Sequence, residues 1–164
     1  IIQETTELSS LKIQDIIVAD KSLRKSTAFG ISVSLDGDTA GNVGDTSRKQ
    51  FVLFADIPDG GGTTDGLYTN GGSCGVPAEG NECIESFAIN TSDRIVQLCT
   101  DDGCFDTGAI NIVFNRPAPD ASLCVLAGSA CQINRPSFVD IVLQSGSGAE
   151  RKVTVWNTGQ ISIE

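Results

Sequence analysis

The spacing of the apolar residues changes once along this chain of 164 residues, close to residue 29. Between Ile13 and Leu23 they recur at the spacing of one face of a helix, whereas further on apolar and polar residues alternate as they do in strands. A chain of this length suits one domain with its own core. The sequence therefore predicts an α+β domain, in which an N-terminal amphipathic helix (residues 1–29) packs on the one or two antiparallel sheets of a β-rich body (residues 30–164).

The predicted helix carries a second set of apolar side chains on its other side, formed by Leu8, Leu11 and Val18. Two apolar faces need two surfaces to pack against. Both faces can pack within the domain, which is the ordinary arrangement in a globular protein. If the second face is exposed, its three residues are instead candidates for contact with another subunit.

The body contains short apolar or alternating runs that predict strands. The end of the chain is the clearest part, because two alternating runs flank a Ser145-Gly146-Ser147-Gly148 turn and a short loop then leads into Ile161. This pattern predicts an antiparallel meander. The other predicted strands are Ile31–Leu35, Gln50–Ile57, Ile84–Ile89, Arg94–Cys99 and Ala109–Phe114.

Six cysteines fall as neighbours in the sequence. Proximity predicts three local disulfides that close loops, and disulfides imply an oxidising compartment. Buried thiols and a zinc site are the alternatives, but zinc sites usually draw on CxxC pairs or histidine, and the chain has neither. The predicted pairs are Cys74 with Cys83, Cys99 with Cys104, and Cys124 with Cys131.

The formal net charge of −10, with an isoelectric point near 4.3, bears on possible partners. An acidic surface repels a phosphate backbone, and no cluster of basic residues exceeds a pair such as Arg151-Lys152. Nucleic acid is therefore not an expected partner.

Four stretches together resemble a known family. They are Phe29–Val33 after the amphipathic helix, Phe51–Asp56, Phe114–Ala121 with its two prolines, and the closing Val153–Ile161 with Thr158-Gly159. This combination resembles the soluble part of type IV pilin-like proteins. The nearest group is the minor pilins and pseudopilins, similar to the H-type pseudopilin of type II secretion.

The resemblance implies a structural subunit of a type IV pilus or a type II secretion-like surface filament, which acts by assembly or priming and has no reaction or cofactor of its own. Its partners would be other pilin or pseudopilin subunits. It also implies a longer native protein, because such proteins have an apolar N-terminal helix that anchors them in the membrane before assembly. The residues of that helix are not in this sequence, so we expect Ile1 to follow a missing segment.

Two other functions fit the residues. A free extracellular binding or adhesion domain would use the acidic loops between residues 36 and 65 as its contact surface. Asp106-Thr107-Gly108 is also the motif of retroviral-type aspartic proteases, in which two such aspartates share a proton at a dimer interface. Here the motif follows a polar turn rather than an apolar strand, which favours an ordinary entry into a hairpin over an enzyme.

Two further groups are candidate ligand sites. Asp56, Asp59 and Asp65, with the glycines between them, could bind Ca²⁺, although their spacing differs from that of an EF-hand and a solvated turn is favoured. Arg116-Pro117 and Arg135-Pro136 could form a ligand clamp. Proline that ends a strand, with arginine reaching a nearby carboxylate, is the favoured interpretation of these two pairs.

Overall fold

In the computed structural model, the described residues are 28–35, 47–58, 64–69, 71, 73–75, 77–115, 120–127, 130–131 and 135–164. These residues form strands and turns, with one short 3₁₀ turn at Ser47–Lys49. The strands are β1 (Ala28–Ser34), β2 (Gln50–Asp56), β3 (Cys83–Ala88), β4 (Arg94–Thr100), β5 (Gly103–Phe105), β6 (Ala109–Asn115), β7 (Ala121–Ala127), β8 (Ala130–Cys131), β9 (Phe138–Gln144), β10 (Glu150–Trp156) and β11 (Ile161–Ile163).

The strands form two sheets in which every pairing is antiparallel. One sheet has six strands in the order β3-β2-β1-β6-β7-β8, and the other has five in the order β11-β10-β9-β4-β5. The strand β1, the first that the structure describes, therefore lies inside its sheet, where it pairs with β2 on one side and β6 on the other.

The main core lies between the two sheets, as the alternation of side chains requires. Val33 of β1 and Ile110 of β6 pack from one sheet, and Val139 of β9 and Val153 of β10 pack from the other. All four are at most 3% exposed, so the sheets form a closed sandwich with a shared apolar interior. Burial of this surface is the main source of stability for such an architecture.

The opposite face of the six-stranded sheet is also buried. There Phe54 of β2 packs against Tyr68 from the segment between β2 and β3, with ring centroids 5.5 Å apart. Gly30 lies directly opposite Phe54 in the register of β1 and β2. A Cβ atom at Gly30 would come within 2.5 Å of the Phe54 ring and 2.8 Å of the Ile112 carbonyl oxygen. Glycine is therefore required here by close packing.

The predicted α+β fold class is wrong for the described residues, which form a β-sandwich. Ala28 and Phe29, placed at the end of the predicted helix, are the first residues of β1, and Ala28 is fully buried. The pairing of these two residues with β2 and β6 outweighs the helical spacing of the apolar residues that precede them. The rest of that predicted helix, residues 1–27, lies outside the described residues, and no helix packs on either sheet within the part of the chain that the structure describes.

The strand predictions for the body are confirmed with shifts of one to three residues at their ends, and the C-terminal meander is β9-β10-β11. The structure adds β5, β7 and β8, which the sequence pattern did not indicate. It also shows that β1 begins two residues before Gly30.

Candidate functional site

A cleft with a volume of about 490 Å³, lined by both polar and apolar residues, lies where the ends of both sheets meet. It is bounded by the end of β6, the start of β7, the residues before β9 and the turn between β10 and β11. The lining residues are Asn115, Asp120, Ala121, Ser122, Leu123, Arg135, Pro136, Asn157 and Thr158.

Backbone hydrogen bonds join the walls of this cleft. The Ala121 N–H donates to the carbonyl oxygen of Asn157 over 2.8 Å, and the Asn157 N–H donates to the carbonyl oxygen of Ser137 over 2.9 Å. The turn that carries Asn157 is closed by a hydrogen bond from the Gly159 N–H to the Trp156 carbonyl oxygen, and Gly159 has a φ of 79°. Three separate segments are thus fixed relative to one another by the main chain.

The chemistry of the cleft combines opposite charges with neutral hydrogen-bonding groups. Arg135 and Asp120 are both exposed. The ion pairs found among the described residues join Lys152 to Asp140 and Glu164, so neither Arg135 nor Asp120 takes part in them. The other lining residues include asparagine, serine and threonine, together with the buried Leu123 and Pro136. This arrangement can bind a small polar ligand.

A second polar group lies at the end of β2, where Glu82 joins two segments. Its Oε1 accepts a hydrogen bond from the Ile57 N–H and its Oε2 accepts one from the Thr69 N–H, both over 2.8 Å. Its main chain also bonds to Thr69 and to Ala55, each over 3.0 Å. Glu82 is only 4% exposed. Burial raises the pKa of Glu82 from 4.5 to about 7, although the two N–H donors oppose the rise.

Asp56 lies beside this group and is 1% exposed. Its Oδ2 accepts a hydrogen bond from the Gly66 N–H over 3.0 Å. Burial raises the pKa of Asp56 from 3.8 to about 6, against the effect of that hydrogen bond, and the nearby Asp65 contributes to the rise. The two carboxylates therefore act as acceptors that fix the segment between β2 and β3 through its backbone.

The calcium candidates fall into three different settings. Asp56 is buried and bonds to the backbone, Asp65 accepts a hydrogen bond from the Leu67 N–H through Oδ1, and Asp59 lies outside the described residues. Within the described ranges, no group of three or more histidine, cysteine, aspartate or glutamate side chains is arranged to hold a metal ion. Calcium binding here stays an untested alternative to the solvated turn that the sequence favours.

All six cysteines form disulfides in the predicted pairs: Cys74–Cys83, Cys99–Cys104 and Cys124–Cys131. The first ties the segment before β3 to the β3 strand, the second closes the β4–β5 hairpin, and the third joins β7 to β8. The disulfide prediction is confirmed, which excludes free thiols and cysteine-bound zinc. Three disulfides indicate an oxidising, extracellular or secreted setting.

The other predicted site residues are dispersed. Asp106 is exposed in the turn between β5 and β6, where its carbonyl oxygen accepts a hydrogen bond from Arg48 Nη2 over 2.6 Å. The protease stays an untested alternative to the hairpin entry that the sequence favours. Leu8, Leu11, Val18 and Arg116-Pro117 lie outside the described residues.

Comparison of the chain with protein-family models, with curated proteins and with solved structures gave no match. The resemblance to type IV pilin-like proteins therefore stays a prediction based on the residues quoted for it. In the part of the chain that the structure covers, no helix has the length and apolar character needed to cross a membrane.

Two features of these sites were missed by the sequence analysis. Asn115, Ser122 and Asn157 come together only through the folding of distant segments, and no local pattern marks them. Glu82 carries no signal except its position immediately before Cys83. The sequence analysis named Arg135 as part of a possible ligand clamp. The structure places it in a cleft with other polar residues.

Proposed function

We propose that this chain is a structural subunit of an extracellular filament of the type IV pilin-like class, which works by assembly with other subunits. The observation that carries this proposal is the position of β1. Ala28 is fully buried, and the strand that it begins is hydrogen-bonded on both sides. The chain before Ala28 is therefore joined directly to the interior of a sheet.

This join matters mechanically for an assembled subunit. A force applied through residues 1–27 acts on β1, which is held by antiparallel pairing to β2 and to β6. A strand at the edge of a sheet would be held on one side only. Transmission of load from an assembly segment to a disulfide-closed body is a property that a surface filament requires.

The stretches that carry the family resemblance also support the proposal. Phe29–Val33 lies in β1 and Phe51–Asp56 lies in β2, which are neighbours in one sheet. Val153–Ile161 runs from within β10 to the first residue of β11 in the other sheet. The proposal does not require residues 1–27 to lie on either sheet.

Assembly can be tested in the native host with the full gene. Under the proposal, Leu11→Asp removes an apolar contact between subunits, so the protein should stay in the cell fraction and be lost from sheared surface filaments. Ser10→Asp adds the same charge at a neighbouring polar position and should leave surface recovery unchanged. Equal recovery of both variants in the sheared fraction would refute assembly through this face.

A second function is favoured by the cleft around Arg135. A binding or adhesion domain needs a concave site with some polar groups, and this cleft has both, between segments that main-chain hydrogen bonds join. The two functions are separable, because loss of cleft side chains should leave filament assembly intact. Surface recovery of an Arg135→Gln variant, measured beside its adherence, distinguishes them.

A further inference from the structure

We propose that the cleft around Arg135 binds a short acidic saccharide, a ligand that carries one carboxylate and several hydroxyl groups. This inference deepens the binding function given above and rests on it. The filament role does not depend on it.

The charges in the cleft select this class of ligand. Arg135 is the one cationic side chain among the lining residues that the structure describes, and Asp120 lines the same cleft. A guanidinium binds a planar carboxylate through two parallel hydrogen bonds. Asp120, as an acceptor, favours hydroxyl donors and repels a second anionic group.

The neutral groups of the cleft match hydroxyls. Asn115 and Asn157 each offer both a donor and an acceptor, and Ser122 and Thr158 add hydroxyl groups that can serve as either. A sugar ring presents hydroxyls that both donate and accept. The volume of about 490 Å³ lies within the usual range of small-molecule sites, about 300–1,000 Å³.

Polyanions are a poor fit to the same cleft. The chain has a formal net charge of −10, which repels nucleic acid and other extended polyphosphates at long range. A phosphate dianion at Arg135 would also face Asp120, and Arg135 is the one cation among the described lining residues. A ligand with one carboxylate and otherwise neutral hydroxyl groups carries a single negative charge, so both costs are smaller for it than for a polyanion.

The test is a titration of the full chain, labelled with ¹⁵N, with glucuronic acid, N-acetylneuraminic acid and glucose. We expect chemical-shift changes at Arg135, Asn157 and Thr158, with at least one acidic sugar binding about tenfold or more tightly than glucose, as a charge-assisted hydrogen bond predicts. Arg135→Gln should remove this preference. Arg151→Gln changes an exposed arginine on β10, which does not line the cleft, and should retain it.

Equal affinity for glucose and the acids, shifts confined to other surfaces, or no shifts at millimolar sugar would each overturn the inference. A parallel adherence assay separates this failure from failure of the binding function. Adherence that depends on Arg135 without acidic-saccharide binding would overturn the ligand class alone, whereas adherence unaffected by Arg135→Gln would overturn the binding role of the cleft.

Discussion

Glu82 and Thr69 are joined by two hydrogen bonds that run in opposite directions. The Thr69 N–H donates to Glu82 Oε2 over 2.8 Å, and the Glu82 N–H donates to the Thr69 carbonyl oxygen over 3.0 Å. The second carboxylate oxygen of Glu82 accepts from Ile57. A single buried side chain thus connects the end of β2 to the segment that covers Phe54.

Stability should rise as the pH falls towards 5, because Glu82 and Asp56 have raised pKa values in the folded protein. Their pKa values are about 7 and about 6 when folded, against 4.5 and 3.8 ordinarily. The folded state therefore holds more protons, so this contribution is fully present below the unfolded values and is lost as the pH rises through the folded ones. Between pH 5 and pH 8 we expect the free energy of unfolding to fall by about 2–4 kcal/mol.

Urea denaturation across this range measures the effect. Glu82→Gln should flatten the pH dependence and lower stability, because the amide nitrogen of glutamine cannot accept from a backbone N–H. Glu79→Gln, at an exposed position in the same segment, should keep the wild-type slope. A wild-type protein that becomes steadily more stable from pH 5 to pH 8 would contradict the assignment.

Removal of Cys74–Cys83 and removal of Cys99–Cys104 should have different local effects, even though the two disulfides close loops of similar length. Sequence separations of 9 for Cys74–Cys83 and 5 for Cys99–Cys104 predict a loss of about 2–3 kcal/mol in unfolding free energy for either double alanine variant. Only loss of Cys74–Cys83 should also speed amide hydrogen exchange at Gly66 and Thr69, because that disulfide anchors their segment. Similar exchange at these two residues in both variants would show that the carboxylates suffice to hold the segment.

Gly30→Ala should destabilise the six-stranded sheet by about 1–3 kcal/mol, the usual cost of overpacking a core. The new methyl group would meet the ring of Phe54, which is fully buried. Phe54→Leu alone should leave a cavity. Combined with Gly30→Ala, it should recover part of the stability that Gly30→Ala costs. A thermodynamic cycle over the four proteins measures the coupling, and additive losses would mean that the two side chains do not compete for space.

Thr154→Val should cost about 1–2 kcal/mol through loss of one hydrogen bond in a buried setting. The Thr154 hydroxyl donates to Asp140 Oδ1 across the β9–β10 pair, and Thr154 is 5% exposed. Thr154→Ser keeps the hydroxyl and should be closer to wild type in denaturant midpoint. If the Thr154→Val variant is as stable as the Thr154→Ser variant, the hydrogen bond contributes little to stability beyond side-chain packing.

Much of the body could be predicted from the sequence because strands and local disulfides leave signals of short range. Alternation marked β9, β10 and β11, and the spacing of the cysteines marked all three pairs. The start of β1 could not be predicted, because Ala28 and Phe29 fit the end of a helix until their pairing with β2 and β6 is known.

The candidate cleft was less accessible to prediction, for a different reason. Asn115, Arg135 and Asn157 are far apart in the chain and come together only because the two sheets pack. The burial of Glu82 likewise depends on a segment folding over it, and no local sequence pattern marks that burial. Tertiary contacts decide both the cleft and the burial of Glu82. Neither can be predicted from the spacing of apolar residues along the chain.

The most direct measurement of the central claim is the N-terminus of the native protein, determined by mass spectrometry on sheared surface material and on the membrane fraction. The filament proposal predicts a processed N-terminus followed by an apolar segment that continues into Ile1, with the same species in both fractions. A protein that follows a cleaved conventional signal peptide, or that is absent from sheared filaments, would contradict a filament subunit and favour a free extracellular binding domain.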